Sequence, residues 1–275
     1  MRPAPELVET LQIAGIACRI ACRQAAFWAL LSPRYRDFAS SAPPELSLSV
    51  EIVEPPPADV ATRWSGPFAR LDAVDGTLSI EGAAFRGAFD ERSGQGWIAQ
   101  PLDPTPFETF LTAIYAGRLL CAGGFFLHAA AIVRPSGAHV FFGPSESGKT
   151  TVADLVGEGV ITDETTAIHR DGARYIVSAV PWRGQHLSAP LAALYRLRHG
   201  RATSFARLSA AAAVRELLPS VLFSRADGAA INRFLELAAG LLREVPCYEM
   251  HFTRDRSFWE SIPGLEQRER HGLAL

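Results

Sequence analysis

Residues 46–53 (Leu-Ser-Leu-Ser-Val-Glu-Ile-Val) alternate apolar and polar as far as Ile52, and this period of two predicts a half-buried strand that Pro55–Pro57 end. Shorter strand-like runs follow at 68–71, 77–81, 84–89 and 96–99, punctuated by Asp75-Gly76 and Ser93-Gly94 turns. Upstream, 13–20 predicts a further strand and 24–31 a short helix stopping before Pro33. Thr105-Pro-Phe-Glu108 reads as a helix start, with Thr105 as N-cap, Pro106 at the first helical position and Glu108 completing a capping box. That helix runs to about residue 121, stops at Gly123-Gly124, and is expected to bridge the two halves of the chain.

The second half changes character. A strand at 125–133, the turn Arg134-Pro-Ser-Gly137 and a strand at 138–142 form a hairpin. A helix from Thr151 follows, then a short strand at 160–164 ending in two acids, and a hairpin of 167–170 with 174–178 around Asp171-Gly172. A strand at 194–198, a helix from the Ser209 cap to about 218, a longer helix within 226–244 and an alternating strand at 247–252 complete the pattern.

Between the hairpin and the helix lies Gly143-Pro-Ser-Glu-Ser-Gly148-Lys149-Thr150-Thr151, the G-x-x-x-x-G-K-[ST] pattern of a phosphate-binding P-loop. Gly143 and Gly148 permit backbone torsions and a close approach that a Cβ would block. The amides from Ser145 through Ser147 to Thr150 and Thr151 then face an anion at a helix N-terminus. Lys149 would reach the β- and γ-phosphates, and the Thr150 hydroxyl would bind Mg²⁺. Strand, glycine loop and helix follow one another as that mechanism requires. Lys149 is also the one lysine among 27 Lys+Arg residues, a compact ammonium where phosphate suits it. These observations predict an α/β protein: a smaller β-rich region over 1–104, then a P-loop nucleotide-binding domain over 105–275. The hairpin entering the loop makes its sheet mixed.

Composition narrows the picture little. With 48% hydrophobic and 20% charged residues the chain is ordinary globular, and a formal net charge of −2 gives no support for a nucleic-acid surface. Cys18, Cys22, Cys121 and Cys247 lack the second pair of a zinc pattern and read as buried thiols of a reducing compartment. The apolar window 110–133 is broken by Arg118, Gly123, Gly124 and His128, and Glu6 and Glu9 sit where a secretory signal needs positive charge. The expectation is a soluble cytoplasmic protein with no membrane partner.

Asp163 and Glu164 stand where the Mg²⁺-binding carboxylate of a P-loop protein belongs, at the end of the short strand after the loop helix. Adjacent strand residues face opposite ways, so one of the two is expected to face the metal, with Asp163 favoured as the base or the metal carboxylate and Glu164 assisting. His128, on the hairpin strand beside the loop strand, could touch phosphate or tune the base; a histidine among apolar residues reads equally as a hydrogen-bonded core group. Arg183, in Pro181-Trp-Arg-Gly184, could clamp phosphate as a cationic stabiliser. Glu146 carries no assigned role.

Taken together, His128, the glycine loop and Val160-Ile-Thr-Asp163-Glu164 resemble the C-terminal domain of HPr kinase/phosphorylase, a P-loop group related to phosphoenolpyruvate carboxykinase. The resemblance covers about residues 125–255, and 181–184 and 245–252 are similar to segments of diverged members, some found with peptide-modification clusters. It implies that His128 is the active-site histidine, Lys149 and Thr150 the phosphate and metal residues, and Asp163 the catalytic carboxylate. Glu164 stands where that family usually has Asp, Ala129 follows the histidine where Gly is usual, and residues 1–105 match nothing in the family's N-terminal domain. The expected activity is therefore ATP- and Mg-dependent transfer of the γ-phosphoryl group to a hydroxyl, of which a serine in a protein or peptide is the first choice. The alternatives are a nucleotide-binding regulatory protein with little turnover, or a small-molecule or carboxykinase-like enzyme. Packing, homo-oligomer contact and recognition are the roles open to the first region.

Overall fold

The computed structural model describes residues 6–54, 69–255 and 257–262. Pro55–Pro57 and the first residue of the strand expected at 68–71 lie outside them. The chain is α/β with mixed sheets and divides into two compact units, Met1–Arg118 and Leu119–Leu275.

The first unit holds strands β1 (Leu7–Ile13), β2 (Ile16–Cys22), β3 (Leu46–Ile52), β4 (Arg70–Val74), β5 (Thr77–Glu81), β6 (Arg86–Asp90) and β7 (Gln95–Gln100), with helices α1 (Ala25–Tyr35) and α2 (Pro104–Cys121). They form one sheet in the order β1-β2-β3-β7-β6-β5-β4, with β2, β3 and β7 parallel and the remaining pairs antiparallel. The alternation at β3 is borne out: Leu46, Leu48 and Val50 are buried while Ser49 and Glu51 are exposed. The single strand expected at 13–20 is instead the hairpin β1–β2, turning at Ala14 and Gly15, both with positive φ. Pro33 does not end α1; Leu31 and Tyr35 are buried on the same face and hold its last turn.

The start of α2 also differs. Pro104 is its first residue, and the Asp103 carboxylate accepts the Thr105 amide at 2.8 Å, so Asp103 does the capping expected of Thr105. Glu108 takes an ion pair with Arg34 at 2.8 Å in place of the reciprocal capping bond. The Tyr115 hydroxyl donates to the Ile16 carbonyl, and Phe107 meets Phe27 edge-on at 5.3 Å. These contacts explain why the division falls within the last turn of the helix, at 118/119, and not before it.

The second unit holds β8 (Phe125–Arg134), β9 (Gly137–Phe142), α3 (Lys149–Val156), β10 (Val160–Thr162), β11 (Thr165–Asp171), β12 (Arg174–Ser178), β13 (Ser188–His199), β14 (Ser204–Arg207), α4 (Ala210–Leu217), β15 (Val221–Leu222), α5 (Gly228–Glu244), β16 (Cys247–Phe252) and α6 (Ser257–Glu260). The Ser209 cap is as expected, its Oγ accepting the Ala212 amide, and Asp227 caps α5 in the same way. Strand β8 pairs with β11 through 125–128 and with β9 through 129–134. Strand β9 is antiparallel to β8 and parallel to β13, which is parallel to β16, so the sheet is mixed. Around the glycine loop the local order is β10-β8-β9-β13-β16. The core on the α3 side joins Val152, Ala153 and Val156 to Phe141, Tyr195, Leu197, Met250 and Phe252. No helix among the described residues is long and apolar enough to cross a membrane.

Candidate functional site

The parallel strands β13 and β16 end together, with His199 opposite Phe252, and β9 ends earlier beside them, with Phe142 opposite Arg196. Ligands of α/β sheets bind at such carboxyl ends, where loops leave the sheet free of side-chain packing. The loop leaving β9 is the glycine loop, and a cleft of about 590 Å³ opens beside it.

Local chemistry shapes that loop. Gly148, the N-cap of α3, has φ +100, and a β-carbon there would sit 2.5 Å from the Phe252 ring. A β-carbon on Gly143 would meet the Ser147 hydroxyl at 2.7 Å and Arg196 Nη1 at 3.0 Å. Lys149 is 7% exposed, and its Nζ donates to the carbonyls of Gly143 and Pro144, each at 3.0 Å. Burial, then the neighbouring Arg196 charge, lower its pKa. The Ser147 hydroxyl is buried and has no hydrogen-bond partner among the described residues, an unspent polar group inside the loop.

The acids and His128 arrive from the β8 side. Strands β10 and β11 both pair with β8, and Asp163 and Glu164 form the bend between them, where the Glu164 carbonyl accepts the Ala129 amide at 3.0 Å. The opposite facing expected of two adjacent strand residues does not apply at this bend. Outside regular strand geometry the alternation of faces lapses, and both carboxylates line the cleft with His128, Lys149, Thr150 and Thr151. His128, opposite Thr165 in the β8–β11 pair, is half-buried; desolvation and then the Lys149 charge lower its pKa, with Glu164 opposing. Its surroundings therefore favour the neutral imidazole.

Thr162, which the sequence did not single out, fixes this bend. Its hydroxyl donates to the Arg183 carbonyl at 2.6 Å and accepts the amides of Glu164 and Thr165. The Pro-Trp-Arg-Gly loop docks there: Trp182 is buried edge-on against Phe126, and Gly184 bridges to Thr162, its Cα so close to the Ile161 carbonyl that a β-carbon would lie 2.2 Å from it. Arg183 consequently reaches the site through Glu164, with which it pairs at 3.1 Å, and does not itself line the cleft.

From the β13 side come residues that sequence reasoning missed. His199 and Arg254, at the ends of β13 and β16, line the same cleft. The signal for them was their place just past strands parallel to the loop strand, but that pairing is long-range. Arg196 lies buried behind Gly143, its Nε 2.7 Å from Glu216 and its Nη1 donating to the Leu197 carbonyl.

The oxygen donors Thr150, Asp163 and Glu164 suit a hard cation such as Mg²⁺, which takes one or two carboxylates, waters and substrate phosphates. Among the described residues no group of three His, Cys, Asp or Glu could hold a metal alone. Cys18, Cys22 and Cys247 are free and buried as expected, whereas Cys121 is exposed. A larger cleft of about 710 Å³ opens at the opposite end of β9, beside Arg134, His139 and Tyr248. Size alone would favour it, but it lacks the loop amides, the lysine and the paired carboxylates, so the smaller cleft is the candidate. A scan of the sequence against models of protein families finds no match, and neither does a search of curated proteins.

Proposed function

We propose that the second unit is a P-loop kinase domain that binds MgATP and transfers its γ-phosphoryl group to a hydroxyl, with serine of a protein or peptide as the acceptor. One observation carries the reading: Lys149 and the glycine loop share a single cleft with His128, Asp163 and Glu164. Phosphoryl transfer demands positioning and charge neutralisation more than covalent chemistry, and this set supplies both.

The loop amides and Lys149 hold the β- and γ-phosphates. Thr150 and Glu164 would hold Mg²⁺, which neutralises phosphate charge when bound, and Asp163 is left as the base. The acceptor oxygen attacks the γ-phosphorus as the bond to the β–γ bridging oxygen breaks, ADP carries away that electron pair, and the hydroxyl proton passes to the Asp163 carboxylate. Asp163 is exposed and belongs to no ion pair among the described residues, unlike Glu164, which suits it to receive a proton. Neutral His128 can donate or accept one hydrogen bond at the γ-phosphate without adding charge.

The experiment compares wild type with Asp163→Asn, following the γ-label of ATP into water and added serine peptides. Asparagine keeps the shape and removes the charge, so turnover falls about 10² or more while ATP affinity changes little. Equal turnover in the two proteins removes Asp163 from the mechanism. Tight binding with no turnover in wild type makes the chain a nucleotide-binding regulatory protein.

A further inference from the structure

The cleft has two sides. Strand β9 lies between β8 and β13, so His128, Asp163 and Glu164 flank the glycine loop on one side, and His199 and Arg254 flank it on the other. A nucleotide whose γ-phosphate points toward Asp163 extends its nucleoside over the ends of β13 and β16. Here the inference rests on the ATP-binding reading above.

His199 is built as a platform at that end. It follows Tyr195 and Leu197 on the face of β13 that packs against α3, one step beyond the core. Phe252, its register partner on β16, is 2% exposed and lies beneath it, ring centroids 6.2 Å apart and planes at 29°. The Gly200 amide donates to the Phe252 carbonyl at 3.2 Å and ties the two strand ends together. His199 itself is exposed, unlike the Phe252 ring it pairs with.

A hydrogen bond fixes the ring in its plane. His199 Nε2 lies 2.9 Å from the carbonyl oxygen of Glu146. A carbonyl only accepts, so Nε2 carries the hydrogen and donates it. Glu146 holds φ +65, a conformation unusual for a residue with a β-carbon, and the bond from His199 helps hold it. The exposed ring is thus oriented by the phosphate loop and backed by a buried aromatic.

We infer that the base of the bound nucleotide stacks on the outer face of His199, with Phe252 as the backing ring, so that His199 supplies affinity for the nucleoside and not for the phosphates. Base–aromatic stacking tolerates any base, because every base has a π-face.

The test compares ATP with inorganic tripolyphosphate, each with Mg²⁺, binding to the full chain by calorimetry, in wild type, His199→Ala and His199→Phe. Both variants lose the bond to Glu146, and only phenylalanine keeps a ring. The expected result is that the ratio of ATP affinity to tripolyphosphate affinity falls about tenfold in His199→Ala and returns to within about threefold of wild type in His199→Phe. An unchanged ratio in His199→Ala overturns the platform, whether or not both affinities fall together through the lost loop contact. Wild type that binds tripolyphosphate as tightly as ATP also overturns it while leaving the phosphate loop intact. Wild type that binds neither ligand ends the nucleotide reading and the platform with it.

Discussion

Gly148 carries the tightest steric demand in the glycine loop. Its φ of +100 costs an L-residue about 1–3 kcal/mol. The Phe252 ring, 2.5 Å from a would-be β-carbon, would also have to leave a packed core. Gly148→Ala should therefore lower stability by at least that strain and weaken ATP binding more than tenfold, as denaturant melts and calorimetry would read; an alanine variant of unchanged stability would mean that the loop is not held in this shape. The same residue explains what was legible. Gly143, Gly148, Lys149 and Thr150 are recognisable because the phosphate-loop requirement is met within eight consecutive residues, with chemistry fixed by spacing alone. Asp163 and Glu164 could be placed from the end of a strand, and His128 from the hairpin strand beside the loop strand. Thr162, Arg196, His199 and Arg254 could not, because a docked loop and parallel pairing between distant segments set the first two behind the cleft and bring the last two to it.

Strand β9 shows how an element can be read correctly while its inner chemistry stays hidden. All six of its residues are buried, including His139, 2% exposed, which shares hydrogen bonds with the Ser136 hydroxyl at 2.9 Å and the Tyr195 hydroxyl at 3.1 Å. Burial, and after it the Arg134 charge, lower the His139 pKa to about 4 from 6.5. Below 6.5 the unfolded chain takes up a proton that the folded chain refuses until about pH 4. The stability that neutral His139 contributes is thus present above 6.5 and lost as pH falls through that window, amounting to roughly 3 kcal/mol. Replacing His139 with Gln should flatten this part of the stability–pH profile; an equally steep profile in the variant would assign the acid sensitivity elsewhere. Periodicity found β3 and β9 because their burial alternates or is continuous. It missed the β1–β2 turn because Ala14-Gly15 interrupts an apolar run without Asn or Asp. It put the α2 cap two residues late because Asp103 and Thr105 are both good caps and only contacts choose between them.

Across the whole chain, the helix start near residue 104 was read as the change from β-rich to α/β, yet the compact units divide at 118/119. Helix α2 has an apolar face that suits either neighbour by sequence, and only the pairing of Phe107 with Phe27 and of Tyr115 with Ile16 assigns it to the first unit. The mixed sheet was legible from the hairpin that enters the glycine loop; the parallel β9–β13–β16 set was not, since roughly fifty residues separate each pair of partners. That set creates the cleft, and the claim that it binds nucleotide phosphates through Lys149 is open to direct measurement. Saturating MgATP, at about 100 times its dissociation constant, stabilises a folded binder by about 2.7 kcal/mol, which appears as an upward shift in melting temperature. Wild type should show this shift, and Lys149→Ala, which keeps the loop backbone but removes the ammonium, should lose most of it. An equal ATP-dependent shift in the two proteins, or none in wild type, would contradict the assignment of this cleft to nucleotide binding.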